Sequence, residues 1–91
     1  MYKLEITKAS GKFLEQLPAK RFRQVVLSVL KLRQNPEPHD SKGLRGYPEY
    51  KRVDVGEYRI IYHLEADTLV IALVGKRNDD EIYRQFKRKK Q

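Results

Sequence analysis

The sequence predicts an α+β domain in the order β-α-α-β-β-β-α: a mainly antiparallel four-stranded sheet with a helical hairpin on one face and a short C-terminal helix. Three observations predict it. Residues 22–30 repeat their apolar side chains at helical spacing, residues 50–64 alternate about a Gly56-Glu57 turn, and residues 69–76 form an almost continuous apolar run. Helices therefore precede a run of strands instead of alternating with them, the pattern of a helical layer laid on an antiparallel sheet. A chain of 91 residues supports one domain with one core, spanning 1–91.

Tyr2, Leu4 and Ile6 alternate with Lys3 and Glu5, as in a half-buried strand. Thr7 is placed to cap a short helix whose apolar positions are Ala9, Phe13, Leu14 and Leu17, and Pro18 both ends it and suits the first turn of the next. In that second helix, running to about Gln34, Phe22, Val25, Val26, Val29 and Leu30 make one apolar stripe, with Arg21, Arg23, Lys31 and Arg33 mostly off it. Pro36 and Pro38 bias their predecessors away from helix, so residues 35–40 form a loop. Strands follow at about 50–55, 58–64 and 69–76; the last is apolar on both faces, as in a central strand. Asn78 with Glu81 forms a capping-box-like pair, Asp79 and Asp80 suit the positive end of a last helix, and "KRKKQ" is a basic tail.

A two-residue turn with glycine first is of type II′, and it sets the hairpin register. Val55 faces Tyr58, Asp54 faces Arg59, Val53 faces Ile60, Arg52 faces Ile61 and Tyr50 faces His63. By alternation Val53, Val55, Tyr58, Ile60, Tyr62 and Leu64 point to the core, while Arg52, Asp54, Arg59 and His63 share the other face, a shallow cationic surface with a carboxylate in it. Alternation continued from Leu64 opposite Leu69 puts Val70, Ala72, Val74 and Lys76 on that charged face and Arg77 in the core. An unpaired buried arginine is too costly, so a break or bulge near Gly75 is expected to free it. Parity alone leaves Lys76 and Arg77 both open as the cation beside the hairpin.

The net charge of +8 calls for an acidic counterpart: nucleic acid, an anionic membrane surface or an acidic protein. The chain has no cysteine, hence no disulfide or thiolate chemistry. No run approaches the roughly 18 apolar residues of a membrane span, and the first residues lack the pattern of a signal peptide, so a soluble, cytoplasmic protein is expected. There is no metal-spaced cluster of His, Cys and carboxylates, no glycine-rich phosphate loop and no Ser-His-Asp set, so no cofactor or metal is expected. His63 lies away from the turn, and His39 sits in the proline loop.

The segment "KGLRGYPEYKRVDVGEYRIIYHLEADTLVIALVGKRNDDEIY", residues 42–83, resembles the RelE toxins of the RelE/ParE superfamily. The likeness lies in "LRG" before the hairpin, "YRIIY" within it and "GKR" followed by "EIY" after the third strand, and the order of elements extends it over essentially the whole chain. The resemblance implies a ribosome-dependent mRNA endoribonuclease that cuts the codon in the A site by attack of a 2′-hydroxyl on the adjacent phosphate. It also implies a cognate acidic antitoxin, with operator DNA bound only through that antitoxin. Such chemistry needs a base, positive charge on the developing phosphorane and an acid for the leaving oxygen.

Carried over by position, the resemblance makes Arg59 and Arg77 phosphate and transition-state clamps, with Arg77 assisting the leaving group. Arg52 becomes a basic residue at the start of the hairpin, and Tyr83 a residue that stacks on or orients the base; packing beside Ile82 and Phe86 is the plain alternative for Tyr83. Lys51, Lys76, Lys87, Arg88, Lys89 and Lys90 are candidate RNA-backbone contacts. Asp54 departs from the pattern, which has a basic residue there. It either accepts the 2′-hydroxyl proton, or it only orders Arg59 while Lys51 or Arg52 supplies charge; the arginines around it lower its basicity. The competing readings are a ParE-like DNA gyrase inhibitor without ribonuclease activity and a non-catalytic nucleic-acid-binding module, in which the arginines are phosphate contacts only.

Overall fold

In a computed structural model that describes residues 1–78 and 81–90, the last two by backbone alone, the elements run β1 (Lys3–Ile6), α1 (Lys8–Glu15), α2 (Ala19–Gln34), β2 (Lys42–Leu44), β3 (Tyr47–Val55), β4 (Tyr58–Glu65), β5 (Thr68–Lys76) and α3 (Glu81–Lys90). The expected α+β order holds, with one strand more. The addition, β2, is three residues long and joins β3 through Arg45-Gly46, where Gly46 takes φ +85°, a conformation glycine adopts without a Cβ clash. A glycine between Leu44 and Tyr47 was the available signal, but three residues are too few to show a period. Asp79 and Asp80, expected to favour the start of the last helix, lie outside the described residues.

The five strands form one sheet in the order β1-β5-β4-β3-β2, with β1 parallel to β5 and the other pairs antiparallel. The helical hairpin α1–α2 covers one face, where Leu14, Val25, Val29, Val53, Ile60, Tyr62, Leu69 and Ile71 make the main core. Only part of the α2 stripe is used. Val25, Val29 and Leu32 are buried, whereas Phe22 and Leu30 are exposed, because α1 shares the same sheet face and leaves α2 a narrow line of contact. Leu64, expected to point to the core, is exposed too; it lies beyond Tyr50–His63, the last pair of the β3–β4 ladder.

The opposite face is not a bare charged surface. Ile82 and Phe86 of α3 pack on Leu44, Tyr50, Ile61 and Leu73 in a second apolar cluster. Phe86 meets Tyr47 and Tyr50 edge-on at ring distances of 4.9 and 4.8 Å, an arrangement favoured by the ring quadrupoles. This half of the sheet is therefore core, and the charged residues occupy the remainder, toward the Gly56-Glu57 turn.

A bulge does occur in β5, three residues before the predicted place near Gly75. Ile61 pairs with Leu73 and Tyr62 with Ile71, leaving Ala72 as the extra residue. Beyond it the parity of β5 is inverted: Val74 joins the helical-face core, and Gly75 stands opposite Arg59. The cause lies in α1. Thr7 caps that helix by accepting from the Ser10 N–H, its hydroxyl donates to the Ala72 carbonyl at 2.8 Å, and the Ser10 hydroxyl donates to the Ile71 carbonyl at 3.0 Å. These bonds take up β5 carbonyls where β1 ends, so the strand is pulled out of register there.

Candidate functional site

The β3–β4 register is the one that loop length dictates: Val55–Tyr58, Asp54–Arg59, Val53–Ile60, Arg52–Ile61 and Tyr50–His63. Within the turn only Gly56 has positive φ, +59°, as a type II′ turn requires. Asp54 and Arg59 thus project side by side from the face that α3 partly covers. Because the bulge has reversed the parity of β5, Arg77 reaches that face as well. Its backbone N–H extends the sheet by donating to the Glu57 carbonyl at 2.9 Å.

Arg59 and Arg77 meet at Asp54, and Tyr83 joins them through Arg59. Arg59 donates through Nε to Asp54 Oδ1 at 2.7 Å and through Nη2 to Oδ2 at 3.2 Å, the two-pronged geometry that suits a guanidinium and a carboxylate. Its Nη1 donates to the Tyr83 hydroxyl, and the guanidinium carbon lies 5.5 Å from the centre of the Tyr83 ring, within cation–π range. Arg77 Nη1 stands 3.9 Å from Asp54 Oδ2, and Arg52 projects from the same face two residues before Asp54. The Arg59 side chain is only 14% exposed, against 33% for Asp54 and 46% for Arg77.

The hydrogen bonds from Arg59, reinforced by the charges of Arg59, Arg52 and Arg77, hold the Asp54 carboxyl below its ordinary value despite partial burial. Arg59 is shifted the other way, chiefly by its bond to Asp54. Asp54 is therefore an ionised, strongly solicited carboxylate and a weak proton acceptor. Tyr83 is half-buried beside Ile82 and Phe86, as the packing alternative has it, and its ring and hydroxyl also engage Arg59, a contact the sequence did not suggest.

The lysines are arranged differently. Lys76 pairs with Tyr58 and points to the helical side of the sheet, contrary to the alternation argument, because the bulge precedes it. Lys51 pairs with Tyr62 on that same side and lies 3.5 Å from Glu37. Lys87 is exposed and, with Arg45, lines a groove beside Tyr83, while Arg88 bonds Glu81 at 2.9 Å. The side chains of Lys89 and Lys90 lie outside the described residues. Arg45 is a further cation near the site, with no signal of that place in the sequence alone. It stands within the "LRG" segment, but only folding brings it to Tyr83. His63 packs its ring on Tyr50 at 4.6 Å, beyond Ile61 from Arg59, and His39 is exposed.

The site thus offers one shielded guanidinium, a more open one and an aromatic ring on a single face. Such a set suits binding a phosphodiester next to a stacked base. Among the described residues no group of three or more His, Cys, Asp or Glu could hold a metal ion, and no helix is long and apolar enough to cross a membrane.

Residues 4–81 match the family described as the ParE toxin of type II toxin–antitoxin system, parDE. No curated protein matches the chain. Similar solved structures include the isolated Escherichia coli RelE toxin, 19% identical over all of both chains with a TM-score of 0.75. Another is the toxin–antitoxin complex RelBE2 of Mycobacterium tuberculosis, 26% identical over 84% of this chain and 98% of that one, TM-score 0.72. A third is the archaeal RelE–RelB complex of Pyrococcus horikoshii, 26% identical over 84% and 94%, TM-score 0.73.

Proposed function

Starting from a chain that belongs to the ParE toxin family of type II toxin–antitoxin systems and is of the RelE type, we propose that it is a ribosome-dependent mRNA endoribonuclease that cuts A-site codons and stops translation. One observation carries this reading: Arg52 of β3, Arg59 of β4, Arg77 just past the end of β5 and Tyr83 of α3 converge on one face of the sheet. In the reaction, the 2′-oxygen forms a bond to the adjacent phosphorus while the bond to the 5′-oxygen breaks. The products are a 2′,3′-cyclic phosphate and a 5′-hydroxyl; one proton leaves the 2′-hydroxyl and one is delivered to the 5′-oxygen. Arg77, the more open guanidinium, meets the phosphate and the leaving oxygen, Arg59 adds charge from beneath, and Tyr83 orients the base. Asp54 is poorly suited to be the base, since both its oxygens already accept from Arg59.

The partner in this reading is a cognate acidic antitoxin that neutralises the toxin and attracts it through complementary charge. Operator DNA binds through the antitoxin, and the ribosome presents the mRNA. The exposed Phe22, Leu27 and Leu30 of α2 give such a chain apolar surface to cover.

A second reading, a ParE-like gyrase inhibitor, has in its favour the description of the matching family and the occupation of Arg59 by Asp54. Purified toxin added to translating ribosomes, with primer extension along the mRNA, separates the readings. Codon-phased cuts are expected. Intact mRNA with gyrase supercoiling stalled would replace this reading by the second, and neither effect would leave a non-catalytic nucleic-acid-binding module.

A further inference from the structure

All three nitrogens of the Arg59 guanidinium are engaged within the chain, Nε and Nη2 by Asp54 and Nη1 by Tyr83, and the side chain is largely buried. A guanidinium so occupied has little to offer an incoming phosphate. The two oxygens of Asp54 accept from the same edge that binds two oxygens of a phosphodiester, because that edge presents parallel donors to any matching pair of acceptors. Arg77 adds to the likeness: at 3.9 Å from Oδ2 it is drawn to the carboxylate without bonding it directly. Arg52 contributes charge on the same face. The carboxylate sits among three guanidiniums, in the place of a bound anion.

We infer that Asp54 is a built-in competitor for the RNA phosphate: the strand engages Arg77 from the open side, then enters the Arg59 fork by displacing the carboxylate. The inference rests on the reading of this face as an RNA-phosphate site. It deepens that reading by naming what regulates entry. An isolated small anion meets an occupied fork and binds weakly, whereas a strand already held through Arg77 competes at high local concentration. A base standing outside the fork would, when removed, change ground-state anion binding only through the loss of one nearby negative charge. A residue that only holds Arg59 in place would, when removed, weaken it. A competitor, when removed, strengthens it, since apparent affinity falls in proportion to the fraction of the site that is open.

The test uses the full chain with two probes, sulfate and a short 2′-O-methyl oligoribonucleotide that cannot be cut, read through the arginine Nε–H resonances. Asp54→Asn and Asp54→Ser should each bind sulfate roughly tenfold or more tightly than the parent. Glu57→Gln, which removes an equal charge beside the turn without touching the fork, should change it less than about twofold. In the parent, oligonucleotide should shift the Arg77 resonance first and the Arg59 resonance as saturation approaches. Folded Asp54 variants that bind no tighter, or a gain matched by Glu57→Gln, would overturn the inference. So would an Arg59 resonance in the parent that stays fixed at saturation, a result that needs no variant to fold. The function can fail separately: tighter binding by the Asp54 variants with no mRNA cleavage by the parent removes the ribonuclease reading alone, and cleavage with unchanged binding removes this one alone.

Discussion

Arg59 and Arg77 should both be needed for cleavage, but only one of them for stability. Arg77→Ala removes a half-exposed side chain whose carboxylate neighbour is 3.9 Å away, a surface pair contributing about 0–1 kcal/mol, and alanine keeps the backbone bond to Glu57. Its unfolding free energy should stay within about 0.5–1 kcal/mol of the parent, while mRNA cleavage falls by roughly 10²–10³, the usual loss for one transition-state donor. Arg59→Ala removes two charge-assisted bonds to Asp54 and one to Tyr83, from a side chain only 14% exposed. Charge-assisted bonds contribute about 1.5–3 kcal/mol net, so about 2–3 kcal/mol should be lost along with cleavage. At a urea slope of about 1–1.5 kcal/mol/M for a domain of this size, the midpoint should drop by on the order of 2 M. Single-turnover cleavage on programmed ribosomes at saturating toxin, with urea unfolding of the same preparations, gives both numbers. Arg77→Ala cutting at the parental rate would take Arg77 out of the site, and an unchanged midpoint for Arg59→Ala would show that the fork does not hold the hairpin to α3.

Three further perturbations test the surroundings. A Cβ at Gly75 would lie 3.1 Å from Ile82 Cβ and 3.2 Å from its Cγ1 and Cδ1, so Gly75→Ala should push α3 outward and lower stability by about 1 kcal/mol, overpacking outweighing the entropy gained; a stability at or above the parent's counts against the tight α3 seat. Ala66 adopts φ +56° in the turn between β4 and β5, so Ala66→Gly should raise stability by about 0.5–1 kcal/mol, and thermal melts that fall instead would refute the strain. Asp54 is held below its ordinary 3.8 in the fold, so its stabilising contribution is complete above that value and is lost as pH falls through the folded one. As pH falls below 3.8 the parent should therefore lose stability more steeply than Asp54→Asn, and urea midpoints that run parallel there would sink the claim.

Local rules were enough for the hairpin. A glycine first in a two-residue turn admits one turn type and one register, and with a strand period of two that register assigns every residue from Tyr50 to His63 to a face. The same holds for the Thr7 cap and for α2 ending at Gln34, each set by residues within a turn of the place they act. The site was legible to the extent that Arg52, Asp54 and Arg59 lie within this one hairpin.

What the tertiary structure decided depends on contacts between residues far apart in the chain. The bulge falls at Ala72 because Thr7 and Ser10, more than sixty residues earlier, take the Ile71 and Ala72 carbonyls; alternation within β5 can show that some break is needed but carries no trace of its cause. That displacement sends Arg77 to the site face and Lys76 away from it. Whether Arg59 is a free clamp or an occupied one turns on Tyr83, twenty-four residues on, and whether a sheet face is surface or core turns on where α3 comes to rest. Period and turn chemistry act over a few residues, whereas burial and the pairing of charge are properties of the packed whole, so the first could be read along the chain and the second only across it.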